Sequence, residues 1–266
     1  MRRLHRSASI GGSSACRRTV RIGTLAALLP LSIPTAVGAQ YSVRPVVLDF
    51  LDAGERAVVV RNESDVTSTI RIYSGDFDQS ESGAHRFLPF GGHPSSCHGR
   101  LETFPDRLVL DPGADAVLRV RLKAGRSSCW SLVFVERRPP ASDGQARAIE
   151  RIAVQVLGHG SEPIRDVVIR DIAIEETPGG AVLRYRLENI GTDPLRPEGR
   201  LEVRSLEGRV VATVRLDPFG SLPGRVRVRE IPLPEDLPLG PLLAVPILDF
   251  GADHLAGGQV LFDHDQ

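Results

Sequence analysis

Lysine is nearly missing from this chain of 266 residues: Lys123 stands alone, and arginine carries every other positive charge. The planar, multi-donor guanidinium suits fixed contacts on a folded surface. Acid is missing from the first 39 residues, which hold Arg2, Arg3, Arg6, Arg17, Arg18 and Arg21 instead. Long apolar runs are missing as well. The stretch from Ile22 to Ala36 is broken by Pro30 and Pro34, and it falls short of the roughly 20 apolar residues that span a bilayer. Cysteine is scarce, with Cys16, Cys97 and Cys129 only. No segment carries a helical period of useful length. There is also no metallohydrolase spacing, no glycine-rich phosphate loop and no nucleophile elbow. These absences argue against an enzyme: the sequence offers no catalytic residue, no metal set and no cofactor site.

What is present begins with the basic leader. A positively charged start, a short apolar run and the small residues Val37-Gly38-Ala39 before Gln40 describe an export signal over residues 1–39. The expected location is therefore the periplasm or cell envelope, with no membrane span once the signal is removed. The whole chain balances 33 basic against 33 acidic residues, and the leader holds six of the basic ones. The remainder thus carries 27 against 33, a formal charge of −6. Nucleic acid, which needs a positive footprint, is not an expected partner. Two cysteines remain after export, and an even pair in that setting most simply forms a Cys97–Cys129 disulfide. His93 and His98 flank Cys97 and leave metal binding as the competing reading, although the spacing matches no zinc pattern.

The remaining chain reads as all-β. Runs rich in Val, Ile, Leu and Arg recur between turn signals at 41–50, 55–62, 67–74, 107–110, 116–122, 130–136 and 148–157. Val117, Arg119 and Arg121 alternate with Leu118, Val120 and Leu122, the period of a strand with one solvated face. Asp111-Pro112-Gly113 supplies a turn. Segments 78–96 and 139–144 read as surface loops. The short polar stretch GHGSEP at 158–163 reads as a linker. Seven further strand candidates follow at 164–175, 181–189, 199–205, 209–216, 224–231, 242–250 and 257–262. The pattern predicts two immunoglobulin-like β-sandwich domains, 40–157 and 164–266, after the secretion signal. Trp130, beside Cys129, is expected to pack the core against the disulfide.

Residues 41–158 resemble the N-terminal domain of periplasmic pilus-assembly chaperones. The resemblance rests on VVVRN at 58–62, FPDRLVLDPG at 104–113, VFVERRPP at 133–140 and the last strand around IAVQV at 152–156. It implies a chaperone whose last first-domain strand joins an extracytoplasmic, pilin-like subunit by β-augmentation. Ile152, Val154 and Val156 would present the alternating row, and Val154→Glu would be the obvious probe of it. The alternative is that these residues fill the domain's own core. The family also implies a basic pair that grips the subunit's terminal carboxylate. Lys123 lies in the wrong strand for this, so Arg44 and Arg151 are the candidates, and arginine grips carboxylates bidentately. The competing reading of both is ordinary surface arginine. For function, the alternative to a chaperone is a structural or adhesive envelope module. That reading predicts a closed edge at 152–157 and Arg44 and Arg151 pointing apart into solvent.

Overall fold

A computed structural model describes residues 40–137 and 149–265. The export segment, the loop at 139–144 and Ala148 lie outside the described residues. Within them the regular structure is entirely strand, and no helix is long and apolar enough to cross a membrane.

The first sandwich has two sheets. One orders β1 (Tyr41–Arg44), β3 (Gly54–Asn62), β8 (Asp115–Leu122) and β6 (Leu101–Phe104), each antiparallel to its neighbour. The other orders β2 (Val47–Phe50), β10 (Glu150–Gly158), β9 (Cys129–Arg137) and β4 (Ser68–Gln79). Along the far edge of β4 lie β7 (Arg107–Leu110) and β5 (His85–Leu88). The single strand expected at 41–50 is thus two strands in different sheets. They part at Pro45-Val46, where proline has no N–H to offer a ladder. Strand β5 also occupies part of the segment expected to be a loop at 78–96.

Leu118, Val120 and Leu122 point inward while Val117 is exposed, as the period predicts. They meet Val58, Val60, Ile70, Ile72, Val133 and Val135 in one core. Asn62 and the Asp111-Pro112-Gly113 turn form one corner. The Asn62 side-chain amide donates to Val66 O and Leu110 O, both at 2.9 Å, and the Gly113 N–H donates to Asn62 O at 2.9 Å. Gly113 sits at φ +70°, a conformation that glycine adopts without strain.

Cys97 and Cys129 are joined and lie in this core. Trp130 does not pack against them. Successive strand residues face opposite ways, so Trp130 points to the outer face, among Phe77, Leu132, Phe134 and Leu157. The disulfide closes a loop with a sequence separation of 32. The Cys97→Ala/Cys129→Ala variant should lose about 3 kcal/mol of stability, read as a lower urea midpoint. An unchanged midpoint would show that the bond constrains nothing in the unfolded chain.

The second sandwich faces β11 (Val167–Thr177), β12 (Gly180–Asn189) and β15 (Val226–Pro232) against β14 (Val210–Leu216), β13 (Glu198–Ser205) and β16 (Gly240–Asp249). The pieces β17 (Ala256–Gly257) and β18 (Val260–His264) both pair with β16. Leu183, Tyr185, Leu187, Leu201 and Leu248 centre its core. The two sandwiches belong to a single compact unit. Leu222 of the second sits in the outer apolar cluster of the first, against Trp130 and its neighbours.

Candidate functional site

Strand β10, on which the partner-binding expectation rests, is divided along its length. All of it pairs antiparallel with β9, from Glu150 opposite Arg137 to Gly158 opposite Cys129. On its other side β2 runs parallel to it from Gln155 to Gly158, and the Gln155 N–H donates to Val46 O at 2.9 Å. Residues 150–154 have no partner strand on that side among the described residues. Main-chain groups alternate in direction along a strand. Arg151 and Ala153, in phase with Gln155, therefore turn their N–H and C=O toward the open side. The edge expected over 152–157 is open only in its first part, because β2 closes the rest.

The side chains correct the expectation more sharply. Val154 and Val156 are both 0% exposed and belong to the first core, and Ile152 packs against it. The row proposed to face a partner fills the domain's own interior. A strand needs this alternation simply to build a sandwich, so the pattern cannot distinguish the two uses. What β10 offers along its free edge is main chain.

The outer face beside this edge is cationic and aromatic. Arg71 and Arg151 stand on either side of Glu136 across neighbouring strands. Glu136 is buried, and its Oε2 accepts from Arg151 Nε and Nη2 at 3.1 and 2.8 Å and from the Tyr73 hydroxyl at 2.7 Å. Burial, reinforced by that hydrogen bond, raises the Tyr73 pKa. The Arg71 guanidinium lies 5.0 Å over Tyr73, and that of Arg151 lies 5.1 Å over Phe134. The exposed Phe87 meets Phe134 edge-on at 5.3 Å.

Arg44 is not part of this face. Tyr41 and Val43 point into the core and Arg44 is exposed, so alternation puts it on the outside of the β1-β3-β8-β6 sheet. Arg151 lies on the outside of the opposite sheet. The structure does not bring the two arginines together.

The segment read as a linker is a packed junction. Its His159 side chain is 7% exposed and bridges two carboxylates, Asp193 at 2.6 Å from Nδ1 and Asp49 at 2.5 Å from Nε2. Asp193 is 0% exposed and also accepts from Ser128 Oγ at 2.8 Å and Arg165 Nε at 3.0 Å. Burial alone would pull the His159 pKa down, but the hydrogen bonds and charges of Asp193 and Asp49 outweigh it and push it up to about 9. Burial works against an ionised Asp193, and its bonds to His159, Ser128 and Arg165 outweigh that and hold its pKa below the usual carboxylate value. Asp49 comes from the first sandwich, Asp193 from the second and His159 from between them. Sequence reasoning assigned His159 to a linker and passed over both aspartates.

A second contact joins the β4–β5 hairpin to β15. Arg225 grips Asp78 with two bonds of 2.7 and 2.9 Å. The Val228 N–H donates to Glu81 O at 2.9 Å, and Arg186 pairs with Glu81 at 2.8 Å.

Among the described residues no group of three or more His, Cys, Asp or Glu side chains is placed to hold a metal ion. Cys97 is committed to the disulfide, so it does not join His93 and His98 as a ligand. Asp253 and His254 pair with each other, 2.9 Å apart at the surface.

No family model matches the chain, and none of the curated proteins matches it. It is similar to several solved structures. The class 5 fimbriae chaperone CfaA is 13% identical with a TM-score of 0.48, over 83% of this chain and 98% of that one. A chain of a chaperone–tip adhesin complex of CFA/I fimbriae biogenesis is 15% identical with a TM-score of 0.47, over 84% and 98%. The YadV chaperone is 8% identical with a TM-score of 0.46, over 84% and 100%.

Proposed function

We propose that the protein is a periplasmic or cell-envelope chaperone, or assembly factor, that holds an extracytoplasmic subunit by strand pairing at residues 150–154 of β10. One observation carries this reading: the main-chain groups of Arg151 and Ala153 face an edge that has no partner strand among the described residues and that β2 takes over only from Gln155 onward. An unpaired edge of this kind is a template for a strand from another chain. The resemblance of residues 41–158 to pilus-assembly chaperones supports a pilin-like subunit as the partner. In this reading the leader at 1–39 is removed on export, and domains 40–157 and 164–266 act as one body. Arg71 and Arg151, spread over Tyr73 and Phe134, supply charge beside the captured strand. The gripping pair Arg44/Arg151 has no part in it.

The test is Ala153→Pro. Proline removes the N–H that points to the open side, and prolines are tolerated at sheet edges. The bonds from β10 to β9 involve the alternate residues and survive. Crosslinking and co-purification from the periplasmic fraction should recover a partner with the wild type and lose about 90% of it with the variant, a shift of roughly 1.4 kcal/mol or more in binding. Unchanged recovery by a folded variant rules out strand capture at this edge. The second reading, a structural envelope module, is favoured by the placement of Arg44 and Arg151 on opposite outer faces. It predicts that no partner is recovered with either protein.

A further inference from the structure

Strand β15 departs from the rule by which the rest of the second sandwich is built. Arg227, Arg229 and Ile231 stand opposite Leu187, Tyr185 and Leu183 of β12, and all three of those lie in the second core. Two guanidiniums therefore project on a face that is otherwise apolar. Arg227 is only 6% exposed, and Arg229 is partly exposed.

Neither arginine meets a carboxylate among the described residues. The acids of this seam are taken by neighbours: Asp78 by Arg225 and Arg86, and Glu81 by Arg186. Arg227 is held by neutral acceptors, Ser82 O at 3.4 Å and, with the amide oriented to suit, the Gln79 oxygen at 3.0 Å. Both guanidiniums lie over the Phe219 ring, at 5.9 and 4.4 Å. Burial, and then the charge of Arg229, lowers the Arg227 pKa. Two buried nitrogens here have no hydrogen-bond partner, Arg227 Nε and Arg229 Nε, and the Tyr185 hydroxyl lies against the Arg229 guanidinium. Buried polar atoms are nearly always paired, and adjacent like charges without a counter-charge repel.

We propose that Arg227, Arg229 and the Tyr185 hydroxyl bind an oxyanion at the margin of the second sandwich, where the β4–β5 hairpin docks. Guanidiniums are the preferred donors for phosphate, sulfate and carboxylate groups. Arg227 is the buried member of the pair and Arg229 the partly exposed one. The site stands apart from the β10 edge and does not depend on strand capture. Its occupant is either a free inorganic oxyanion or the carboxylate of a polypeptide.

Thermal unfolding of the full exported chain in rising phosphate, against chloride at matched ionic strength, tests this. Phosphate should raise Tm by about 5 °C in a saturable way. Arg229→Met keeps an unbranched stem over Phe219 and should abolish the rise. A short neutral peptide with a free C-terminus, run beside its amide, separates the sources: a rise with the free acid alone assigns a polypeptide carboxylate, and a rise with phosphate an inorganic anion. If the variant does not fold, equilibrium dialysis of the wild type with labelled phosphate and with the free-acid peptide replaces it, and one bound per chain upholds the site. An equal response to chloride, an undiminished response in Arg229→Met, or no bound anion by dialysis overturns it.

Discussion

Val154→Glu should cost at least about 4 kcal/mol of folding stability, because it places a carboxylate in a core with no partner for it. Val154 is 0% exposed and packs with the same cluster as Ile70, Val135 and Val156. The variant would lose its partner because it loses its fold, so partner loss on its own would say nothing about strand capture. Urea denaturation of the purified variant is the measurement. A midpoint within about 1 kcal/mol of the wild type would mean that β10 turns its other face inward, which would return the row 152, 154, 156 to the surface. Ile152→Glu gives the contrast. Ile152 lies at the open end of the strand and is only partly buried, so its substitution should cost less than half as much. The ordering of the two variants therefore reports how far the first core extends along the open edge.

Period-two patterning made most strands legible, and it also misled where a face had to be chosen. The run 117–122 identifies its own buried side because Leu118, Val120 and Leu122 alternate with two arginines. In β10 both faces are apolar enough to be buried: Ile152, Val154 and Val156 enter the first core, while Ala153 and Leu157 join the outer cluster. Nothing local in such a strand tells an offered row from a filled one. Trp130 failed for the opposite reason. Its nearness to Cys129 in sequence suggested nearness in space, yet adjacent strand residues face apart. In β15 valine alternates with arginine, and the register against Leu187, Tyr185 and Leu183 turns the arginines inward. His159 was hidden because glycine and proline on either side read as a linker. Its partners lie 110 and 34 residues away, a separation that spacing within a single sequence does not reveal.

Asp193→Ala should cost roughly 3–5 kcal/mol, the effect of removing one partner from a buried charge group. It leaves His159 and Arg165 together in the junction, His159 with only the half-exposed Asp49 and Arg165 with the carbonyl of Gly251 at 2.9 Å. The pH dependence has a definite sign. The His159 pKa is raised to about 9 from an ordinary 6.5, so its stabilisation is complete below the unfolded value and is lost as pH climbs through about 9. The span corresponds to something on the order of 3 kcal/mol. Asp193, held below 3.8, works in the other direction: its contribution is present above the unfolded carboxylate value and is lost as pH falls through its lowered one. The junction is therefore tightest between about pH 4 and 6.5. His159→Gln removes the titrating group and should flatten the alkaline limb. Urea midpoints of wild type and His159→Gln at pH 6, 8 and 9.5 decide the matter. Subtracting one profile from the other removes Tyr41 and Tyr185, which burial raises to about 12 in both proteins. Parallel profiles would show that His159 is neutral in the folded protein, where its single N–H serves only one of the two carboxylates. A converging pair would show that a charged histidine ties the two sandwiches together across the neutral pH range, so that the segment read as a linker acts as a clamp.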